Sequence, residues 1–195
     1  MSFLDKQKKE LVLSSSSKNR KLILEKTGVP FEVFTPDICE FPLEKEDPIH
    51  MTKRLSFEKG LLAKKKFKKK FIISADTAVF SRKKIINKTR DIAQATLNLK
   101  ILSGRRHKVY TGITFFTNSG KYYQYVCKSI VKFKLLDDKD IENYINTNEW
   151  KDCAGSYSIQ GFAESFVELL SGSYSNVVGL PMHKIYNLLK SNKLI

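Results

Sequence analysis

The segment Phe71-Ile72-Ile73-Ser74-Ala75-Asp76-Thr77 decides how the chain is read. Three consecutive apolar, mostly β-branched residues mark a central strand, and a carboxylate follows at its end. On the N-terminal side, Leu11-Val12-Leu13 is a second short buried strand. Ser14 to Ser17 then lead into a helix over Lys18 to Lys26, closed by Gly28 and Pro30. Phe31 to Thr35 is a further strand, Pro36 to Pro48 a loop. His50 to about Lys66 is a helix with Met51, Leu55, Leu62 and Phe67 facing inward.

On the C-terminal side, Ile92, Ala95, Leu99 and Leu102 recur at helical spacing before Gly104. Val109–Thr117 and Lys121–Leu135 flank Asn118-Ser119-Gly120 as a hairpin. A short helix from Asp137 carries Ile141, Tyr144 and Ile145. Glu164–Leu170 and Tyr174–Val178 are expected as two strands around Gly172, and Pro181–Lys190 as a closing helix. Alternating strands and helices with one embedded hairpin imply an α/β protein with a mixed sheet. The chain is expected to form a single domain over residues 1–195, with residues 1–10 as a flexible N-terminal extension.

Composition narrows the function classes. The 195 residues carry 35 Lys+Arg against 20 Asp+Glu, a net charge of +15, with 42% hydrophobic content, enough for a packed core. Three cysteines without a CxxC pair speak against a disulfide framework or a structural zinc site, and fit a reducing cytosol. The longest apolar stretch, Phe71 to Phe80, is broken by Ser74, Asp76 and Thr77, so no spanning segment is expected; no signal peptide is read at the N-terminus. The run Lys64-Lys65-Lys66-Phe67-Lys68-Lys69-Lys70 is read as a solvated helix end and turn rather than a nucleic-acid interface, in a field that attracts small polyanions. P-loop, GxGxxG and HExxH motifs are absent. His107 is read as a structural hydrogen-bonding residue.

Four local features carry chemistry. Ser15-Ser16-Ser17-Lys18-Asn19-Arg20 joins a strand, a serine turn and a helix start, where free N–H groups, hydroxyls and Arg20 suit a phosphate, although serines there also serve as plain caps. Asp76 at a strand end can deprotonate water, hold a divalent metal, or simply cap a turn. Lys59 and Lys88 lie in segments that bracket Asp76 and could hold a phosphate chain and offset its charge, although in a chain so rich in lysine local sequence alone does not single out either. Gln160, in Ser156-Tyr157-Ser158-Ile159-Gln160-Gly161, can hydrogen-bond a base edge or a phosphate, or sit in a structural turn.

In order and spacing these segments resemble the Maf family of nucleoside triphosphate pyrophosphatases, from about Leu11 to Pro181. Ser15, Ser17 and Arg20 match the family's SxSPxR-type loop, and Arg54-Leu55-Ser56-Phe57-Glu58-Lys59 its arginine–leucine helix. Ala75-Asp76-Thr77 matches its ADT motif and Lys88 its GKP lysine. Leu102 to Gly112, Ala154 to Gly161 and Gly172 to Pro181 are close matches as well. Lys18, Asn19, Cys39, Asn87, Thr89 and Cys153 depart from the pattern.

The resemblance implies an elongated mixed-sheet α/β fold of the Maf/ITPase type, with two lobes around a nucleotide cleft. It also implies a cytoplasmic, often dimeric hydrolase that cleaves a nucleoside triphosphate to the monophosphate and pyrophosphate. In that reading Asp76 accepts the proton and, with Glu40, contacts Mg²⁺ or Mn²⁺. Ser15, Ser17, Arg20, Lys59 and Lys88 hold and neutralise phosphates, and Gln160 faces the nucleotide. Some members are linked to clearance of non-standard nucleotides and to cell-division arrest. Tyr157 to Gly161 resembles the dTTP/UTP branch, whereas Cys153-Ala154-Gly155-Ser156 is similar to the branch acting on 7-methyl-GTP. A catalytically inactive Maf-like protein and a basic nucleic-acid-binding module are the other readings.

Overall fold

A computed structural model describes residues 10–195. The expected N-terminal extension therefore falls, except for Glu10, outside the described residues. Among the described residues seven strands form one mixed sheet: β1 (Leu11–Ser14), β2 (Phe31–Phe34), β3 (Phe71–Ser81), β4 (Lys84–Ile86), β5 (Arg106–Phe116), β6 (Tyr122–Phe133) and β7 (Val167–Ser171). Their order is β2-β1-β3-β5-β6-β7, with β4 paired to β3. β2, β1 and the start of β3 run parallel, and β3, β5, β6 and β7 are successively antiparallel. The expected α/β class with a mixed sheet is what the chain adopts.

Among the described residues six α-helices surround the sheet: α1 (Lys18–Glu25), α2 (Pro48–Lys66), α3 (Ile92–Leu102), α4 (Asp138–Thr147), α5 (Tyr174–Val178) and α6 (Met182–Ser191). Their starts follow local chemistry. Ser17 caps α1, Asp91 caps α3, and Asp47 caps α2 by accepting from the amides of Ile49 and His50, with Pro48 at the first helical position. Three lysines in the last turn of α2 complement its dipole.

Two expectations are corrected. Asp76 does not end its strand, because β3 continues through the antiparallel ladder with β5 as far as Phe80. What ends near Asp76 is β1, whose last pair with β3 is Ser14 with Ser74. β4 resumes pairing on β3 only at Val79, so among the described strands residues 75–78 lack a ladder partner on one edge. The second correction concerns Tyr174–Val178, which is helical, and Glu164–Phe166, which forms a 3₁₀ turn before β7. The Ser173 hydroxyl caps α5, and buried Asn176 donates to the Val109 carbonyl and to Ser129 Oγ. Those tertiary bonds outweigh the β propensity of Val177-Val178.

The described residues form two large apolar cores and one small one. At one end Leu11, Leu13, Ile73, Ile113 and Phe115 pack under α1 and α6; at the other Val79, Val109, Val131 and Phe133 pack with α3, α4, Trp150, Tyr157 and Phe166; Val12, Ile72 and Phe116 pack with Ala63 of α2 in the small one. The break in pairing at 75–78 lies between the two large cores, the kind of topological switch where α/β sheets bind ligands.

The candidate active site

Side chains alternate across β3, so Ala75-Asp76-Thr77 divides between two faces. Asp76 faces α2, and Thr77 faces Arg20 of α1. The surface of α2 against the sheet is not the leucine stripe expected from periodicity. It comprises Thr52, Ser56, Lys59, Gly60 and Ala63, all buried, along with Met51 and Leu55; Leu62 is only half-buried. These small and polar residues bring the helix backbone close. Ser74 Oγ donates to the Ser56 carbonyl at 2.6 Å, and Ser14 Oγ donates to the Lys59 carbonyl at 2.7 Å. Gly112, opposite Asp76 in the ladder, is the tightest point, because a Cβ there would lie 2.3 Å from the Thr52 carbonyl oxygen.

This packing drives Lys59 into the sheet edge. Its Nζ lies 2.6 Å from Asp76 Oδ1 and 2.7 Å from Glu40 Oε1, with the lysine side chain only 5% exposed. Glu40 comes from the loop between β2 and α2, and its other oxygen pairs with Lys88. Burial alone would raise the Glu40 carboxyl, but Lys59 and then Lys88 outweigh it and hold it down at about 2. Lys59, Lys88, Asp76 and Glu40, scattered over 49 positions of sequence, thus form one alternating chain of charge.

Arg20 is buried behind this chain. Its Nε donates to the Gly179 carbonyl at 2.8 Å, and its terminal nitrogens donate to Ser15 Oγ at 3.1 Å and Thr77 Oγ1 at 3.0 Å. Gly179 can present that carbonyl because its φ is +121°, a conformation other residues rarely adopt. Burial lowers the Arg20 pKa while Asp76 and Glu40 pull it back up. Three of its five N–H donors are spent, leaving two for a ligand. Ser17 caps α1 through the Arg20 amide, and Ser15 Oγ accepts from the Ser17 amide. Gln160 is exposed at the rim.

All eight residues singled out from the sequence (Ser15, Ser17, Arg20, Glu40, Lys59, Asp76, Lys88 and Gln160) line one cleft of about 1000 Å³. Lys18, Arg90 and Lys151 join them, so six cationic side chains face three acidic ones, Glu40, Asp76 and Asp152. Sequence reasoning missed the Arg90–Asp152 pair, which stitches the two sides of the rim at 2.8 Å; its partners stand 62 residues apart and carry no local motif. His107, in β5 rather than before it, belongs to the core: its Nε2 lies 2.8 Å from Tyr157 Oη, and burial lowers its pKa to about 4.

Among the described residues no group of three or more His, Cys, Asp or Glu converges to hold a metal. Asp76 and Glu40 do converge, both within 2.7 Å of one ammonium. One or two carboxylates, completed by phosphate oxygens and water, is the donor set Mg²⁺ takes in phosphate sites, and this pair fits it.

A basic cleft at a sheet switch point, floored by two carboxylates around a buried lysine, defines an anion site equipped for proton transfer. The chain belongs to the Maf family: the family model described as Maf-like protein matches residues 10–192. A nucleoside triphosphate pyrophosphatase of Ehrlichia ruminantium (strain Welgevonden) is 42% identical over 180 residues, covering 92% of this chain and 94% of that one. A dTTP/UTP pyrophosphatase of Clostridioides difficile (strain 630) is 42% identical over 182 residues, covering 92% and 93%. One of Chelativorans sp. (strain BNC1) is 40% identical over 190 residues, covering 94% and 91%. Among the described residues no helix is long and apolar enough to cross a membrane.

Proposed function

We propose that the protein is a nucleoside triphosphate pyrophosphatase, preferring dTTP or UTP, that releases the nucleoside monophosphate and pyrophosphate. The observation that carries this reading is Lys59, buried and held between Asp76 and Glu40 on the floor of a cationic cleft. The family membership and the relatives' activities point the same way.

The chemistry follows from the placement. Lys59 and Lys88 already lie against carboxylates, so an incoming triphosphate exchanges one set of anionic partners for another without exposing either ammonium to an unpaired state. Arg20 and the serine turn receive phosphate oxygens through their remaining donors. Asp76, oriented before substrate arrives by its contact with Lys59, accepts the proton of the water that attacks the α-phosphorus. The cations stabilise the charge that builds on the departing pyrophosphate. Mg²⁺ or Mn²⁺, held by Asp76 and Glu40, would supply further charge neutralisation on the phosphate chain. Gln160 at the rim offers one donor and one acceptor to the base. The three free cysteines suit a cytosolic setting.

The test is pyrophosphate release from a panel of triphosphates, with and without divalent metal. Asp76→Asn keeps the shape of the side chain but removes its charge and most of its basicity. Turnover is expected to fall roughly 10²–10⁴-fold, the usual cost of a lost general base. A variant that still turns over dTTP near the wild-type rate excludes Asp76 from that role.

A further inference from the structure

Phe41 is the residue whose placement the phosphate chemistry leaves unexplained. It lines the cleft, yet it is 77% exposed. Leaving a phenylalanine in water forgoes most of the stabilisation that burying its ring would bring. The loop does not leave it exposed through slackness. Glu40, its neighbour, is gripped by Lys59 and Lys88. The Phe41 carbonyl accepts from Arg54 Nη2 at 3.2 Å. Arg54 also takes Glu46 bidentately, at 2.7 Å through both Nε and Nη2, and Glu46 Oε2 accepts from the Leu43 amide at 3.0 Å. The backbone on both sides of Phe41 is therefore tied down, and an apolar ring is held at the wall of a charged cleft. Pro36 and Ile38 of the same loop line the cleft as well.

We propose that Phe41 is the platform on which the nucleobase of the substrate stacks, with the Glu40 anchor fixing the platform relative to the phosphates. This rests on the pyrophosphatase reading of the cleft and deepens it. One residue of backbone separates a carboxylate in contact with two phosphate-binding lysines from a flat apolar ring, and a nucleotide carries the complementary pair of a charged chain and a flat base. Every base has a π-face, so stacking of this kind contributes affinity without selecting among bases, and selection falls to hydrogen-bonding groups such as Gln160.

The test compares two ligands at equilibrium, so that it does not depend on turnover. One is a dTTP analogue with a non-hydrolysable α,β-imido bridge, and the other is inorganic tripolyphosphate, which has the charge but not the base. Phe41→Ala is expected to weaken the dTTP analogue roughly five- to a hundred-fold, the usual range for loss of one base–aromatic stack. Tripolyphosphate should bind the variant and the wild type within two-fold. Phe41→Trp should restore analogue binding, and Phe41→Leu, apolar but not flat, should not. Unchanged analogue affinity in Phe41→Ala overturns the proposal. So does parallel weakening of tripolyphosphate, which would place the ring in the phosphate site, and so does full rescue by leucine. A wild-type chain that binds the analogue through Phe41 but releases no pyrophosphate from any triphosphate refutes the catalytic reading and leaves the stacking site standing. A wild-type chain that binds neither ligand refutes both.

Discussion

Gly112→Ala is the smallest change that should disconnect the fold from its chemistry. The glycine pairs with Asp76 across the β3–β5 ladder, and α2 lies directly over it. An added Cβ would stand 2.3 Å from the Thr52 carbonyl oxygen, 2.5 Å from its carbon and 3.0 Å from the Lys53 amide. These are backbone atoms in a helix, so no side-chain rotation relieves the overlap. Restoring ordinary van der Waals separation requires α2 to move about 1 Å away from the sheet. Overpacking of this kind costs roughly 1–3 kcal/mol, which for a chain of this size lowers the melting temperature by about 3–10 °C. The functional consequence is larger. Lys59 is two helical turns from Thr52, and the same shift stretches its 2.6 Å contact with Asp76. A misplacement of about 1 Å at a reacting centre can cost 10²-fold in rate. The assay is pyrophosphate release at saturating dTTP, alongside thermal unfolding. Gly120→Ala is the control: that glycine sits at a hairpin tip with φ +92° and nothing within 4 Å, so alanine there strains the backbone without touching α2. The control should lose some stability and keep its turnover. Gly112→Ala with wild-type kcat, or an equal fall in kcat for both variants, refutes the idea that this close approach sets the geometry of the site.

Three further outcomes are expected. His107 is buried with its pKa lowered to about 4, so the unfolded chain binds a proton that the native chain refuses as the pH falls below about 6.5. The wild type should lose about 3 kcal/mol of stability through this group between pH 7.5 and 4, whereas His107→Gln should not; urea titrations showing parallel losses would assign the acid sensitivity elsewhere. Replacing exposed Lys65, Lys66, Lys68 and Lys69 with Gln should leave kcat within a few-fold and slow substrate capture only at low salt, because none of the four lines the cleft. Lys64 is excluded from that set, since its Nζ donates to the carbonyls of Lys70, Thr117 and Asn118 and pins the turn to the β5–β6 hairpin. Finally, kcat/KM for dTTP or UTP should exceed that for 7-methyl-GTP, and Gln160→Ala should narrow the gap; side-by-side kinetics favouring 7-methyl-GTP would reverse the base preference proposed here.

The sequence by itself determined most of the order of elements and the set of charged residues that meet in the cleft. Runs such as Phe71-Ile72-Ile73, the serine cap of α1 and the Asn118-Ser119-Gly120 turn act over a few residues, and local chemistry suffices to read them. The resemblance to the Maf motifs singled out Arg20, Lys59, Asp76 and Lys88. Only the tertiary structure decided how they meet. Asp76 looks like the end of a strand because the apolar run stops there, but the strand continues, since β5 supplies a ladder on one edge where β1 has ended on the other. Tyr174–Val178 reads as β by side-chain type and folds as a helix because the bonds that fix Asn176 come from Val109 and Ser129, far away in sequence. The inward face of α2 is small and polar rather than leucine-rich, because what it must satisfy is the close approach at Gly112, a constraint located on another element. The junction of Glu40, Lys59, Asp76 and Lys88 has the same origin. Each charge is stabilised by partners that the chain only assembles after folding, so no window of sequence contains the energy that holds them together.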